Sequence, residues 1–200
     1  LTFWDGRAET GLLRYLMIRE GKNTGERLIN LVTSAETLPD AAAEDFVTRL
    51  SLFATSIVHG VQPRVTDLSL AETFRVLHGS LTFHEQIAGR RFAIHPNSFF
   101  QTNSHGAERI VAMLRERFGN GRKNQTLLDL YCGVGALGLC LAALFETVRG
   151  IEVDANAIAL AQRNAAENDV ANASFEAARV EDVVMRPGAA LAELLNTSDV

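Results

Sequence analysis

The sequence predicts an α/β chain in two parts. A small α+β domain covers residues 1–93, and 94–200 carry a second part built on a parallel sheet. Three observations carry this. After Pro96 the apolar spacing alternates between strand and helix periods, the repeat of a doubly wound, Rossmann-like sheet. The first strand of that repeat runs into a glycine turn that opens a helix. Before residue 94, short β-branched runs are separated by Gly and Asn turns, with a single helical stretch among them.

In chain order, "GLLRYLMIRE" (11–20) reads as a strand, "GKNTG" (21–25) as a turn of residues that tolerate positive φ, and "ERLINLVTS" (26–34) as the returning strand. Residues 38–54 read as a helix capped by Asp40, with Ala43, Phe46, Val47, Leu50 and Phe53 at helical spacing. Strands follow at 55–61, 73–80, 81–88 and 90–96, and the connections in this first part read mainly as hairpins. Asn103 or Ser104 caps a helix running to about Phe118, with Ile110, Val111, Leu114 and Phe118 on one face. Then come a strand (126–131), a helix (136–145), a strand (147–153), a helix capped by Asp154 (154–170) and a third strand (173–179).

Composition limits the function classes. With 47% hydrophobic and 22% charged residues, the chain resembles an ordinary folded domain, and it needs no staple to bury a core. A net charge of −5 argues against a chain whose whole task is gripping nucleic acid. Local basic groups remain at Arg14, Arg19, Lys22 and Arg27, and along 90–123. The two cysteines, Cys132 and Cys140, have neither metal-ligand nor disulfide-framework spacing, so no metal is expected and a reducing, cytoplasmic setting fits. No run is apolar and long enough to span a membrane. The chain begins at Leu1 and stops at "LLNTSDV" in what reads as mid-domain, which leads us to expect a fragment.

The chemistry concentrates in "LLDLYCGVGALGLCLA" (127–142). Its pattern Gly133-x-Gly135-x-x-Gly138 serves both dinucleotide and S-adenosyl-L-methionine enzymes, because glycines turn the chain sharply and let a ligand approach the backbone. Glu152 ends the next strand, at the spacing of an acid that hydrogen-bonds ribose hydroxyls; the competing reading is a surface acid capping the following helix. Asp129 favours the methyl donor. A carboxylate beneath the turn repels a pyrophosphate and suits an ammonium and a sulfonium. It could also serve only to hold loop N–H groups, which fits the same donor. Cys132, inside the turn, reads as a buried filler rather than a nucleophile.

"HPNSFFQTN" (95–103), "LLDLYCGVGALGL", "GIE" (150–152) and "NAAEND" (164–169) together closely resemble the RNA uracil-5-methyltransferases, which make 5-methyluridine in ribosomal and transfer RNA. The resemblance is strongest over 90–179. It implies that Gln101 and Tyr131 line the donor site, that Glu152 binds its ribose, and that Phe99 lies near the target base, with an ordinary core position as the alternative for Phe99. Gly133 and Gly135 complete the donor loop. Ala136 stands where some members carry a polar residue.

The family uses covalent catalysis: a cysteine adds to carbon 6 of uracil and a carboxylate base later removes the carbon 5 proton. Both lie downstream of "GIE" after an Asp-Pro-Pro segment that this sequence lacks. The expectation is therefore a piece of an RNA methyltransferase that acts on rRNA or tRNA, inactive alone, with an exposed sheet edge that invites self-association. Two other readings stand beside it: a nicotinamide-dependent oxidoreductase, which the glycine pattern allows, and a non-catalytic RNA-binding piece using the basic residues.

Overall fold

The computed structural model describes residues 1–34, 38–119 and 122–185. It divides into two compact units, Leu1–Glu85 with His95–Asn97, and Gln86–Ile94 with Ser98–Val200.

The first unit is a mixed four-stranded sheet in the order β1-β2-β3-β4: β1 (Leu13–Glu20), β2 (Arg27–Thr33), β3 (Ser56–Val61) and β4 (Thr73–His78). β1 and β2 form the expected antiparallel hairpin. β2 and β3, however, pair in parallel through α1 (Asp40–Leu50), so the connection there is a crossover rather than a hairpin. The reason is that Ile29, Leu31 and Ile57 put their side chains on one face, where Ala43, Phe46, Val47 and Leu50 of α1 cover them. Only a return over that face buries both apolar surfaces. Asp40 is the first residue of α1 rather than its cap; Pro39 holds the cap position, and Asp40 pairs with Arg75 at 3.2 Å.

A two-stranded hairpin follows, β5 (Phe83–Ile87) and β6 (Arg90–Ile94). All of β6 belongs to the second unit, so the division of the chain is offset from the expected one at 93/94 by this hairpin. The cause is local: Phe92, Ala93 and Ile94 are fully buried, and the β6 backbone is hydrogen-bonded by side chains of a second-unit helix.

The second unit contains α2 (Ser104–Phe118), β7 (Arg122–Leu130), α3 (Ala136–Leu141), β8 (Phe145–Glu152), α4 (Ala155–Glu167), β9 (Ala173–Ala177) and α5 (Val180–Met185). Asn103 caps α2 by accepting the Gly106 N–H at 2.9 Å, and Asp154 caps α4 by accepting the Asn156 N–H at 2.9 Å. On α2, Ala107 and Val111 face inward while Ile110 stays exposed, which narrows the expected apolar face. β7, β8 and β9 form a parallel sheet in sequence order, joined by α3 and α4, as the strand–helix alternation predicts. α3 is shorter than expected because the chain tightens into a 3-10 turn at Ala142–Leu144. Among the described residues no helix is long and apolar enough to cross a membrane.

Candidate functional site

The site lies in the second unit, where β7 and β8 end. In a parallel sheet, all strands deliver their carboxyl ends to one edge, and ligands bind there. β7 ends at Leu130, and the chain then turns through Tyr131 (φ 59°), Gly133 (φ 55°) and Gly135 (φ 80°). A Cβ added at Gly133 would meet nothing within 4 Å, so the turn presents bare backbone to open space there. Gly135 is closed on its other side: a Cβ would lie 2.9 Å from the Phe175 ring.

Two carboxylates hold this turn. Asp129 accepts the Gly138 N–H at 3.0 Å from beneath. Burial pushes its carboxyl up to about 6, against the lowering effect of that hydrogen bond. Glu152 accepts the Gly133 N–H at 3.2 Å through one oxygen, and the Val153 and Asp154 N–H groups at 2.7 and 3.1 Å through the other. The acid at the end of β8 is thus tied to the glycine turn and to the start of α4 at once.

A depression of about 150 Å³ opens over the turn. Phe99, Gln101, Asp129, Tyr131 and Gly133 all line it, together with Phe100, Leu130, Cys132, Val134, Ala136 and Leu137. Phe99 is 76% exposed, so the core alternative for this aromatic is overturned; its neighbour Phe100 is the one that packs inside, against Phe92. Gly135 and Glu152 do not line the depression: Gly135 faces the Phe175 ring, and Glu152 is held by the Gly133 N–H.

A family model described as tRNA (Uracil-5-)-methyltransferase matches residues 72–185, more than half of the chain. The chain belongs to this family. An RNA methyltransferase of Caldanaerobacter subterraneus is 39% identical over 185 residues, covering 90% of this chain and 40% of its own length. The tRNA (uracil(54)-C(5))-methyltransferase of Pyrococcus furiosus is 38% identical over 167 residues, covering 84% of this chain and 38% of its own length. Among solved structures, Pyrococcus abyssi tRNA (uracil-54, C5)-methyltransferase in complex with S-adenosyl-L-homocysteine superposes with a TM-score of 0.72 at 34% identity, over 90% of this chain and 42% of that one. The chain therefore spans about 40% of the length of the relatives it matches.

Within this family member, a second depression of about 270 Å³ shares Tyr131 with the first. Val153, Ala178, Arg179, Val180 and Glu181 complete its lining. Sequence reasoning missed all five. The available signal was topological: these residues follow the ends of β8 and β9, on the same sheet edge as the glycine turn. Val153, apolar and 65% exposed, lies in this lining.

Cys132 is buried in the turn, and burial, with Asp129 and Glu152 nearby, pushes its thiol up to about 12. Cys140 is buried in α3, its thiol raised to about 11 chiefly by burial. His84 pairs with Glu26 at 3.0 Å, His95 meets Phe74 edge-on, and His105 lies 3.8 Å from Glu108. Among the described residues, no group of three His, Cys, Asp or Glu side chains stands close enough to hold a metal. Many of the basic residues are engaged by the chain's own carbonyl oxygens. Arg14 reaches those of Gln62, Arg64 and Thr66, Arg19 those of His95 and Pro96, and Arg115 that of Cys140.

Proposed function

We propose that this chain carries the methyl-donor site of an S-adenosylmethionine-dependent enzyme that methylates carbon 5 of uracil in RNA. The observation that carries the proposal is two depressions that meet at Tyr131, the smaller of them over the glycine turn, in a member of the tRNA (uracil-5-)-methyltransferase family.

The residues present fit the donor. Gly133 offers open space where a side chain would block approach. Asp129 and Gln101, in the smaller depression, suit the ammonium of the amino-acid end, since a carboxylate beside a cation is stabilising and beside a pyrophosphate is not. Val153, Ala178 and Val180 suit the flat apolar faces of a purine in the larger one. Tyr131 borders both. Glu152 keeps acceptor capacity for ribose hydroxyls beyond the three N–H groups it holds. When bound, the donor supplies an electrophilic methyl group on a sulfonium sulfur.

Phe99, exposed in the lining of the smaller depression, offers an aromatic face on which a base presented to the site would stack. Transfer RNA is the substrate class that the named Pyrococcus relatives act on, and we extend it to this protein. The uracil reaction requires a thiolate nucleophile and a base. A thiol raised to about 12 is a poor nucleophile at neutral pH, so Cys132 does not serve. The chain by itself is expected to bind donor and to leave RNA unmethylated.

Calorimetric titration with S-adenosylhomocysteine, with NAD as comparison and Glu152→Ala as control, tests this. Binding of the homocysteine compound that weakens about tenfold or more in the variant supports the reading. Binding of NAD alone would replace it with the oxidoreductase. Salt-sensitive RNA binding without any donor binding would replace it with a non-catalytic RNA-binding piece.

A further inference from the structure

The β6 strand pairs with β5 along one edge, and its other edge is met by asparagine side chains rather than by another strand. Asn164 and Asn168 stand one turn apart on the same face of α4, Asn168 as its C-cap. Asn168 accepts the Arg91 N–H at 2.9 Å and donates to the Arg91 carbonyl at 2.6 Å. Asn164 does the same one strand repeat later: it accepts the Ala93 N–H at 2.8 Å and donates to the Ala93 carbonyl at 3.3 Å. In an extended strand, residues i and i+2 turn their backbone groups to the same side, so two amides spaced four apart on a helix replace a missing strand.

The two asparagines differ in what else they hold: Asn168, only partly buried, also donates to the Asn164 carbonyl at 2.8 Å. Asn164, fully buried, also donates to the carbonyl of Val134 at 3.1 Å. Val134 is the residue between Gly133 and Gly135, at the centre of the turn. One side-chain amide therefore bridges β6 and the glycine turn. The same β6 carries Phe92, which packs on Phe100 between Phe99 and Gln101.

We propose that Asn164 is a positioning residue for the donor turn, setting the orientation of the Gly133–Gly135 peptides through the Val134 carbonyl, whereas Asn168 only anchors the hairpin. Its consequence for donor affinity rests on the function proposed above; its effect on the turn does not.

The test compares Asn164→Ala with Asn168→Ala in the same chain. The primary readout is hydrogen exchange of the Gly133 and Gly135 amides, which Glu152 and the Cys132 carbonyl protect. Both variants lose hairpin bonds, so both are expected to melt earlier. The proposal expects faster exchange at these two amides, about tenfold, in Asn164→Ala only, after correction for global stability. It also expects S-adenosylhomocysteine affinity to fall about tenfold in Asn164→Ala and to stay within about twofold in Asn168→Ala. Turn exchange that rises equally in both variants, or in neither, overturns it. If Asn164→Ala does not fold, Asn164→Ser, smaller but still polar, replaces it under the same criteria. Should wild type bind no donor compound while the exchange difference holds, the positioning role stands and the donor reading falls.

Discussion

Replacing Asp129 with Asn is expected to stabilise the fold and weaken the site. The carboxyl, raised from 3.8 to about 6, is driven there mainly by burial. Below about pH 4 it is protonated in both folded and unfolded chains, so its burial carries no penalty. Between about pH 4 and 6 the unfolded chain releases the proton first, and folded stability declines as pH rises. Above about 6 the full cost is present. A rise of this size corresponds to roughly 3 kcal/mol, and partial solvent contact reduces the usable figure to roughly 1–3 kcal/mol. The amide oxygen of Asn can still accept the Gly138 N–H, so the variant removes the charge and keeps the bond.

Urea unfolding of wild type and Asp129→Asn from about pH 4 to 7.5 should therefore show a gap that opens with pH, the variant being the more stable at the upper end. Affinity for S-adenosylmethionine should move the other way at about pH 7.5, because the cationic donor loses its facing carboxylate. A gap that does not depend on pH, or a variant less stable at the upper end, would refute the claim that Asp129 is a charge buried at a cost for binding.

Gly135→Ala combines a positive φ with a Cβ pressed 2.9 Å from Phe175. A loss of about 1–3 kcal/mol is expected by thermal or urea unfolding, together with weaker donor binding, since the ring lies directly behind the turn. Native Cys132 and Cys140 should resist a maleimide reagent at about pH 7.5 and become reactive only on unfolding, as thiols raised to about 12 and about 11 imply. Rapid labelling of Cys132 in the folded chain would reopen its candidacy as a nucleophile.

Local signals made much of the second unit legible. Caps at Asn103 and Asp154, the period shift from strand to helix and the glycine turn each depend on residues a few positions apart, and so appear directly in the sequence. Phe99, Gln101 and Tyr131 were legible through a resemblance spread over 95–169, and Asp129 and Gly133 through charge and glycine spacing at the turn; all five line one depression. Other features depend on which distant surfaces bury one another. The β2–β3 pairing is parallel because α1 must return over Ile29 and Ile57. β6 lies with the second unit because α4 supplies amides to its bare edge. The second depression exists because three strand ends meet along one sheet edge. Asp129 illustrates the division most plainly: its place beside the turn is written in the order of residues, while its shifted ionisation arises only once the fold has closed over it and removed the water that would have stabilised its charge.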